Sequence, residues 1–332
     1  VYATAEGTAR YAARFPAYVQ NAFYRTVRGL RLSSLGIGTY IGQPDEATDH
    51  AYTAAVEEAI RTGINVVDTA INYRHQRSER SIGAALARAQ RDEVVVCTKA
   101  GFLTPGAIPE SLAPEDVAGR MHSMAPAFLA DQIDRSRANL GVDTIDVFYL
   151  HNPETQLGFV AGEAFDERVR RAFALLEKKA DSGAIRWYGA ATWDGFRKKG
   201  ALDLARMEAI AREEGGPEHH FRFIQLPFNL GMVEAFVDRP ESVINVAARL
   251  GIAVVASATL GQARILSHMP DAVAGLLPGL ETDAQRAVQF TRSTPGIAVA
   301  LVGMSDPKHV AENVGVGRVP PATPDQYMKL YQ

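Results

Sequence analysis

The sequence predicts an α/β fold: a single (β/α)8 (TIM) barrel domain with an N-terminal extension. Three observations predict it. Short apolar runs alternate with amphipathic stretches from Leu32 onward, as β-strands alternating with helices would. Many of these runs are almost continuously apolar, as strands buried on both faces are; Val66-Val67, Val94-Val95-Val96 and Val254-Val255 supply β-branched weight. The first strand opens no glycine-rich dinucleotide fingerprint, because Gly36-Ile37-Gly38-Thr39-Tyr40-Ile41 lacks the third glycine, and this counts against an open doubly wound sheet. At 332 residues the chain has room for eight strand–helix units.

In order, strands are expected over residues 32–38, 64–69, 94–99, 144–151, 184–191, 221–226, 252–257 and 297–303. Helices are expected over 49–62, 79–90, 126–140, 167–182, 196–214, 241–250, 283–291 and 307–314. Gly63, Gly141, Gly183 and Gly251 each follow a helical stretch, where glycine takes the left-handed cap. The organisation is read as an extension over 1–31, the barrel over 32–316 and a tail over 317–332. Loops over 100–125, 152–165 and 259–281 are long, and in a barrel such loops build the site at the C-terminal face.

The extension carries Arg10, Arg14, Arg25, Arg28 and Arg31 with no acid between Glu6 and Asp45. An Arg-rich, acid-poor start is one mark of an organelle transit segment. The favoured reading is a structured element, because Tyr11, Phe15, Tyr18 and Ala22 share a helical face, which Pro16 interrupts. That apolar stripe leaves homo-oligomer formation open.

Hydrophobic residues make up 47% and charged residues 22%, a globular composition, and the net charge of −3 steers the protein to neither nucleic acid nor anionic membrane. No uncharged apolar run reaches the roughly 18 residues of a membrane span. The one cysteine, Cys97, excludes an internal disulfide framework and is read as a packed core residue pointing the same way as Lys99. A cytoplasmic location is expected. The eight histidines show no zinc-protease spacing, and no metal is expected.

Three adjacent strands end in polar residues: the second in Asp68, the third in Lys99, the fourth in His151, with Tyr73 five residues beyond the acid. Each type alone is usually structural; together at one barrel mouth they suit proton donation. A tyrosine with a pKa of about 10 is a poor acid at neutral pH. A nearby ammonium stabilises its phenolate, a carboxylate keeps that ammonium fixed, and a histidine orients a carbonyl oxygen. That is what hydride addition to a carbonyl requires.

Asp68, Tyr73, Lys99 and His151, in this order and strand context, resemble the catalytic tetrad of the aldo-keto reductases, particularly the longer-chain branch that includes aflatoxin-aldehyde reductases and potassium-channel β subunits. Supporting segments are similar: Gly36–Tyr40, the Gly63–Ala70 stretch with its Asp-Thr-Ala, Gln225-Leu226-Pro227-Phe228-Asn229, and residues 302–315 with Glu312-Asn313. The resemblance implies an oxidoreductase that binds NADP(H), or alternatively NAD(H), and acts on a small carbonyl or alcohol with Tyr73 as general acid and base. It implies cofactor contacts from Gly38, Thr39, Asp68, Ala191, Thr192, Gln225, Ser257, Leu260, Gly303, Ser305, His309, Glu312 and Asn313, with helix N-termini near the last segment anchoring phosphate. Tyr40 and Trp193 are expected as substrate-pocket walls, and Phe102, Leu103, Met121, Met124, Phe159, Leu276 and Leu277 as further apolar lining.

Departures from the family pattern concentrate at the cofactor. Ala191-Thr192 stands for the usual Ser-Asn, Ser257 for a stacking tyrosine, and neither Ser305 nor His309 is the arginine common there. Each loss costs about 1 kcal/mol of binding. Asp306 repels an added phosphate, whereas Lys308 or Arg264 attracts it. Two alternatives therefore stand beside the reductase: a redox-neutral lyase or isomerase using the same tetrad, and a non-catalytic nicotinamide-binding interaction module.

Overall fold

The structure, a computed structural model, describes residues 1–331 except 239 and 268. Eight parallel strands close into a barrel: β1 (Leu35–Gly38), β2 (Val66–Asp68), β3 (Val95–Ala100), β4 (Ile145–His151), β5 (Ile185–Ala191), β6 (Phe221–Pro227), β7 (Ala253–Ser257) and β8 (Ile297–Gly303). Each pairs with its neighbour in the sequence, and β8 returns to β1 through Ala300–Leu35 to Gly303–Gly38. Valines and aromatics fill the interior, with Val66, Val95, Cys97, Val147, Tyr149, Phe223, Val255 and Val299 in one buried cluster. The opposite strand faces, with Ile37, Val67, Val96, Phe148 and Ile224, pack under the helices in a second cluster. This two-sided burial is why the strands read as unbroken apolar runs.

Helices follow the strands close to their expected places: Glu46–Thr62, Arg77–Leu86, Pro126–Leu140, Glu163–Asp181, Val243–Arg249, Asp283–Ser293 and Pro307–Asn313. The caps act as the sequence suggests. Gly63 and Gly141 take positive φ of 118° and 64° at helix C-termini, where a side chain would be strained.

Two expectations are corrected. The strand expected over 32–38 is two elements, because Ser33 and Ser34 turn the chain between them. Leu30–Ser33 pairs antiparallel with Tyr24–Val27 in a hairpin, and only Leu35–Gly38 enters the barrel. The Ser33 hydroxyl donates to the Leu35 carbonyl at 2.7 Å, and the Ser34 amide to that of Phe23 at 2.7 Å. The helix expected from 196 begins at Leu204, capped by Asp203, whose carboxylate accepts the Ala205 and Arg206 amides at 2.9 and 3.1 Å.

The N-terminal residues close the bottom of the barrel. Helix Ala5–Ala13 is followed by a short helix, Pro16–Gln20, with the proline at its start rather than inside it. Tyr11, Phe15 and Tyr18 form a ring ladder with centroid spacings of 5.4 and 5.7 Å, while Ala22 leaves the helical face with φ 51°. Tyr11 is fully buried and Phe15 and Tyr18 are partly buried against the core of this chain, while Ala22 is exposed. Three of the arginines are paired: Arg10 with Asp92 and Glu93, Arg14 with Glu93, and Arg25 with the Ile297 and Arg292 carbonyls. Ala3, Leu30 and Leu32 pack on the interior cluster. No helix among the described residues is long and apolar enough to cross a membrane.

Candidate active site

Asp68, Lys99 and His151 meet because of how the strands stagger. Asp68 pairs with Cys97, two residues before Lys99; Lys99 pairs with Tyr149, two before His151. A two-residue step preserves side-chain direction, so all three face the barrel interior while climbing towards its C-terminal mouth. His151 in turn pairs with Ala191, and Ala191 with Gln225.

Tyr73 comes from the turn after β2. Its amide donates to the Ala70 carbonyl at 3.0 Å, and Arg74, His75 and Gln76 follow with φ of 48°, 53° and 72°. Consecutive left-handed residues without glycine are uncommon and store strain at a functional turn.

The polar core of the site is tightly paired. Lys99 Nζ donates to Asp68 Oδ1 and to the Thr69 carbonyl, both at 2.6 Å, and Gln225 Nε2 donates to Asp68 Oδ2 at 2.8 Å. Lys99 Nζ lies 4.8 Å from the Tyr73 ring centre. The Tyr73 ring is edge-on to His151 and Tyr40, with centroid distances of 5.7 and 4.9 Å.

Burial raises the Asp68 carboxyl, against the pull of Lys99 and Gln225. Burial pulls the Lys99 ammonium down, but Asp68 and Tyr73 more than offset this, and Lys99 stays charged. Burial, then the charge of Lys99, then His122 drive the His151 imidazole well down, so it is neutral. Tyr73 corrects a simple expectation: burial raises its phenol more than Lys99 lowers it, and the resting tyrosine holds its proton.

A cavity of about 750 Å³ opens beside these groups, within the usual range for ligand sites. Its lining includes Gly38, Thr39, Tyr40, Asp68, Tyr73, His151, Ala191, Thr192, Trp193, Gln225, Ser257, Leu260, Gly303, His309, Glu312 and Asn313, all singled out in the sequence. Lys99 sits outside the lining, fully covered next to Asp68. Ser305 does not line the cavity; it is exposed, because the chain turns outward after β8. Of the apolar residues expected from the loops, Phe102 alone lines it. Met124 and Leu277 are core residues, Leu103 packs against the core, and Met121 and Phe159 are exposed. Leu276 stands outside the lining as well.

Asn72, Asn152, Thr259 and Met304 also line the cavity and had not been singled out. The signal for Asn72 and Asn152 was adjacency, since each neighbours a tetrad member. Thr259 and Met304 had only a place in a strand-end segment.

The lining fits a nicotinamide dinucleotide. Asn72 Oδ1, Thr259 Oγ1 and Asn313 Oδ1 are buried with no hydrogen-bond partner, and groups left so need a ligand or water. A Cβ on Gly303 would meet nothing within 4 Å, so the backbone there is open to close approach. The carboxamide position is sparser. Thr192 Oγ1 lies 3.5 Å from the Gln225 carbonyl, and Ala191 offers only its backbone. At the expected phosphate anchor, the start of helix Pro307–Asn313, the Asp306 carboxylate accepts the Lys308 amide at 2.8 Å. That carboxylate places negative charge at the helix start.

With a closed parallel barrel and a buried Asp–Lys pair beside Tyr and His at its C-terminal mouth, the class of protein is defined. The chain belongs to the Aldo/keto reductase family, whose pattern it matches over residues 34–269. Over 193 residues it is 34% identical to D-threo-aldose 1-dehydrogenase from a Pseudomonas species, a match covering 54% of this chain and 55% of that protein. Over 188 residues it is 27% identical to the NADH-specific methylglyoxal reductase of Escherichia coli, again covering 54% of this chain and 55% of that protein. The chain thus spans about half the length of these curated relatives. An aldo/keto reductase of Klebsiella pneumoniae, solved in complex with NADP and acetate, superposes with a TM-score of 0.68 at 22% identity, covering 93% of this chain and 95% of that one. At that identity the likeness is one of fold.

Proposed function

We propose that the chain is a nicotinamide-dependent reductase of small carbonyl compounds, with Tyr73 as the proton donor. The observation that carries this reading is the convergence of Asp68, Tyr73 and His151 on one cavity mouth, with Lys99 covered beside them and held at 2.6 Å by Asp68. The bound dinucleotide would supply the hydride to the carbonyl carbon. His151, neutral and at the mouth, donates a hydrogen bond to the carbonyl oxygen and orients it. The Tyr73 hydroxyl gives its proton to that oxygen as negative charge develops. Lys99 stabilises the phenolate left behind, and Asp68 with Gln225 fixes the ammonium. In the alcohol-to-carbonyl direction the phenolate takes the proton back.

Gln225, Thr192, Ser257 and Leu260 line the stretch suited to the nicotinamide end. His309, Glu312 and Asn313 line the stretch suited to the adenosine end. The family pattern points to NADP(H). The Asp306 carboxylate and the exposed Ser305 support NAD(H) as the second reading, because a 2′-phosphate there meets negative charge and no arginine at either expected position.

The test is titration of the protein with NADPH and NADH, followed by turnover of a small-aldehyde panel by wild type and Tyr73→Phe. Micromolar binding by both proteins, with turnover lost in Tyr73→Phe, is expected. Turnover of a substrate with no nicotinamide added would favour the redox-neutral alternative. Nicotinamide binding without turnover of any carbonyl would favour the interaction module.

A further inference from the structure

The loop after β5 carries Trp193 at the cavity mouth, where the residue is 44% exposed. The side chains just before it do little to hold it there. Ala191 has no polar side chain, and the Thr192 hydroxyl reaches only the Gln225 carbonyl, at 3.5 Å. Bonds within residues 193–202 shape the loop, and its tie to the barrel mouth comes from the neighbouring strand. Three residues beyond His151, in the short turn Pro153–Gly158, one oxygen of Glu154 accepts three consecutive backbone amides: Trp193 at 2.7 Å, Asp194 at 3.0 Å and Gly195 at 3.1 Å. The Asn152 amide adds a bond to the Ala191 carbonyl at 2.6 Å. From the other side, Arg197 donates to the Trp193 carbonyl at 3.1 Å.

Three amides pointing at one spot form an anion nest, and an ionised carboxylate fills it better than a neutral acceptor does. We propose that Glu154 is a positioning residue for the substrate end of the cavity: it fixes the turn that sets Trp193 over the mouth. Glu154 does not itself line the cavity, and it acts through the backbone of 193–195. It couples the strand that ends in His151 to the loop after the adjacent strand, so that the carbonyl-orienting group and the aromatic wall keep one spacing. This rests on the reductase reading for its catalytic consequence, but not for the clamp itself.

The clamp can be read without cofactor or substrate. The chain has two tryptophans. Trp187 is buried in the barrel interior, so Trp193→Phe identifies the accessible share of the emission. In ligand-free protein, Glu154→Ala should raise acrylamide quenching of that share about two-fold or more, as a loop freed from its anchor samples open states. Glu154→Gln, whose amide oxygen accepts the same N–H groups, should give a smaller rise with an unchanged melting temperature. With methylglyoxal as the probe carbonyl, Glu154→Ala should raise KM about ten-fold while changing kcat less than about three-fold, the pattern of a lost binding wall. Unchanged quenching in Glu154→Ala overturns the proposal. So does an equal rise in both variants with equally lowered melting temperatures, which marks general loosening. If wild type binds neither NADPH nor NADH, the reductase reading falls while the quenching result still decides the clamp.

Discussion

His122 holds His151 from behind: its Nε2 lies 2.7 Å from the His151 carbonyl oxygen. The direction of that bond follows from a chain of donors. The Arg168 guanidinium can only donate, so Gln156 receives it on Oε1. The Gln156 amide nitrogen must then donate to His122 Nδ1, at 2.7 Å. His122 is left as the neutral tautomer with its proton on Nε2, donating to His151. Gly101 belongs to the same arrangement, because a Cβ there would stand 2.4 Å from the His151 carbonyl oxygen and 2.6 Å from His122 Nε2.

Removing this support should be costly. His122→Ala takes the imidazole donor from the His151 carbonyl, leaves Gln156 Nε2 only the residue 122 carbonyl at 3.4 Å, and opens a cavity in a fully buried place, a loss of about 2–4 kcal/mol. Urea unfolding of the variant reads it directly. Equal midpoints for variant and wild type would remove His122 from the account of the fold.

The same residue gives a pH dependence. Burial drives the His122 pKa from 6.5 down to about 4. Between those values the unfolded chain takes up a proton that the folded one refuses, so stability falls as pH drops from about 6.5 to about 4 and then levels. At roughly 1.4 kcal/mol per unit this is on the order of 3 kcal/mol. The raised carboxyls of Asp68, Glu79 and Glu154 act in the opposite sense. The measurement is therefore the difference between wild type and His122→Gln at pH 7, 5.5 and 4, and the gap should narrow as pH falls.

Tyr73→Phe should lower turnover by about 10²- to 10⁴-fold, the usual worth of a positioned acid. Nicotinamide affinity should stay within about three-fold, because the lost hydroxyl serves the carbonyl oxygen rather than the cofactor. Stopped-flow binding set against steady-state rates separates the two.

Lys99→Met strands the Asp68 carboxylate in a buried place, at about 3–5 kcal/mol. Adding Asp68→Asn should restore a good part of that stability without restoring turnover. A double mutant no more stable than Lys99→Met would mean that the ion pair is not what the fold loses.

Asp306→Ser keeps a helix cap while removing the charge. It should improve NADPH affinity relative to NADH by about ten-fold, or about 1.4 kcal/mol. Parallel titrations of both cofactors with wild type and variant give the ratio. An unchanged ratio would place the 2′-phosphate elsewhere.

The barrel was legible because its strands are buried on both faces and its helices carry glycine caps; Val94-Val95-Val96 and Gly63 are as plain in the sequence as in the fold. Asp68, Lys99 and His151 were legible because strand ends can be counted. Where the chain turns without such marks, the sequence misled: the break at Ser33-Ser34 lies inside an apolar run, and only pairing with Tyr24–Val27 shows it. Most of the expected loop lining failed for the same reason. Hydrophobicity says that Met124 and Phe159 avoid water or tolerate it, not which surface they meet.

By itself, then, the sequence determined the barrel, its order and the identity of the polar residues at its mouth, because these depend on local periodicity and spacing. Tertiary structure decided what those residues face. The two-residue stagger that aligns Asp68, Lys99 and His151, the burial that keeps Tyr73 protonated, and the Glu154 and His122 supports all join residues far apart in the chain. Hydrogen bonds and desolvation act over a few ångströms in space, and closing the barrel is what brings these groups within that reach.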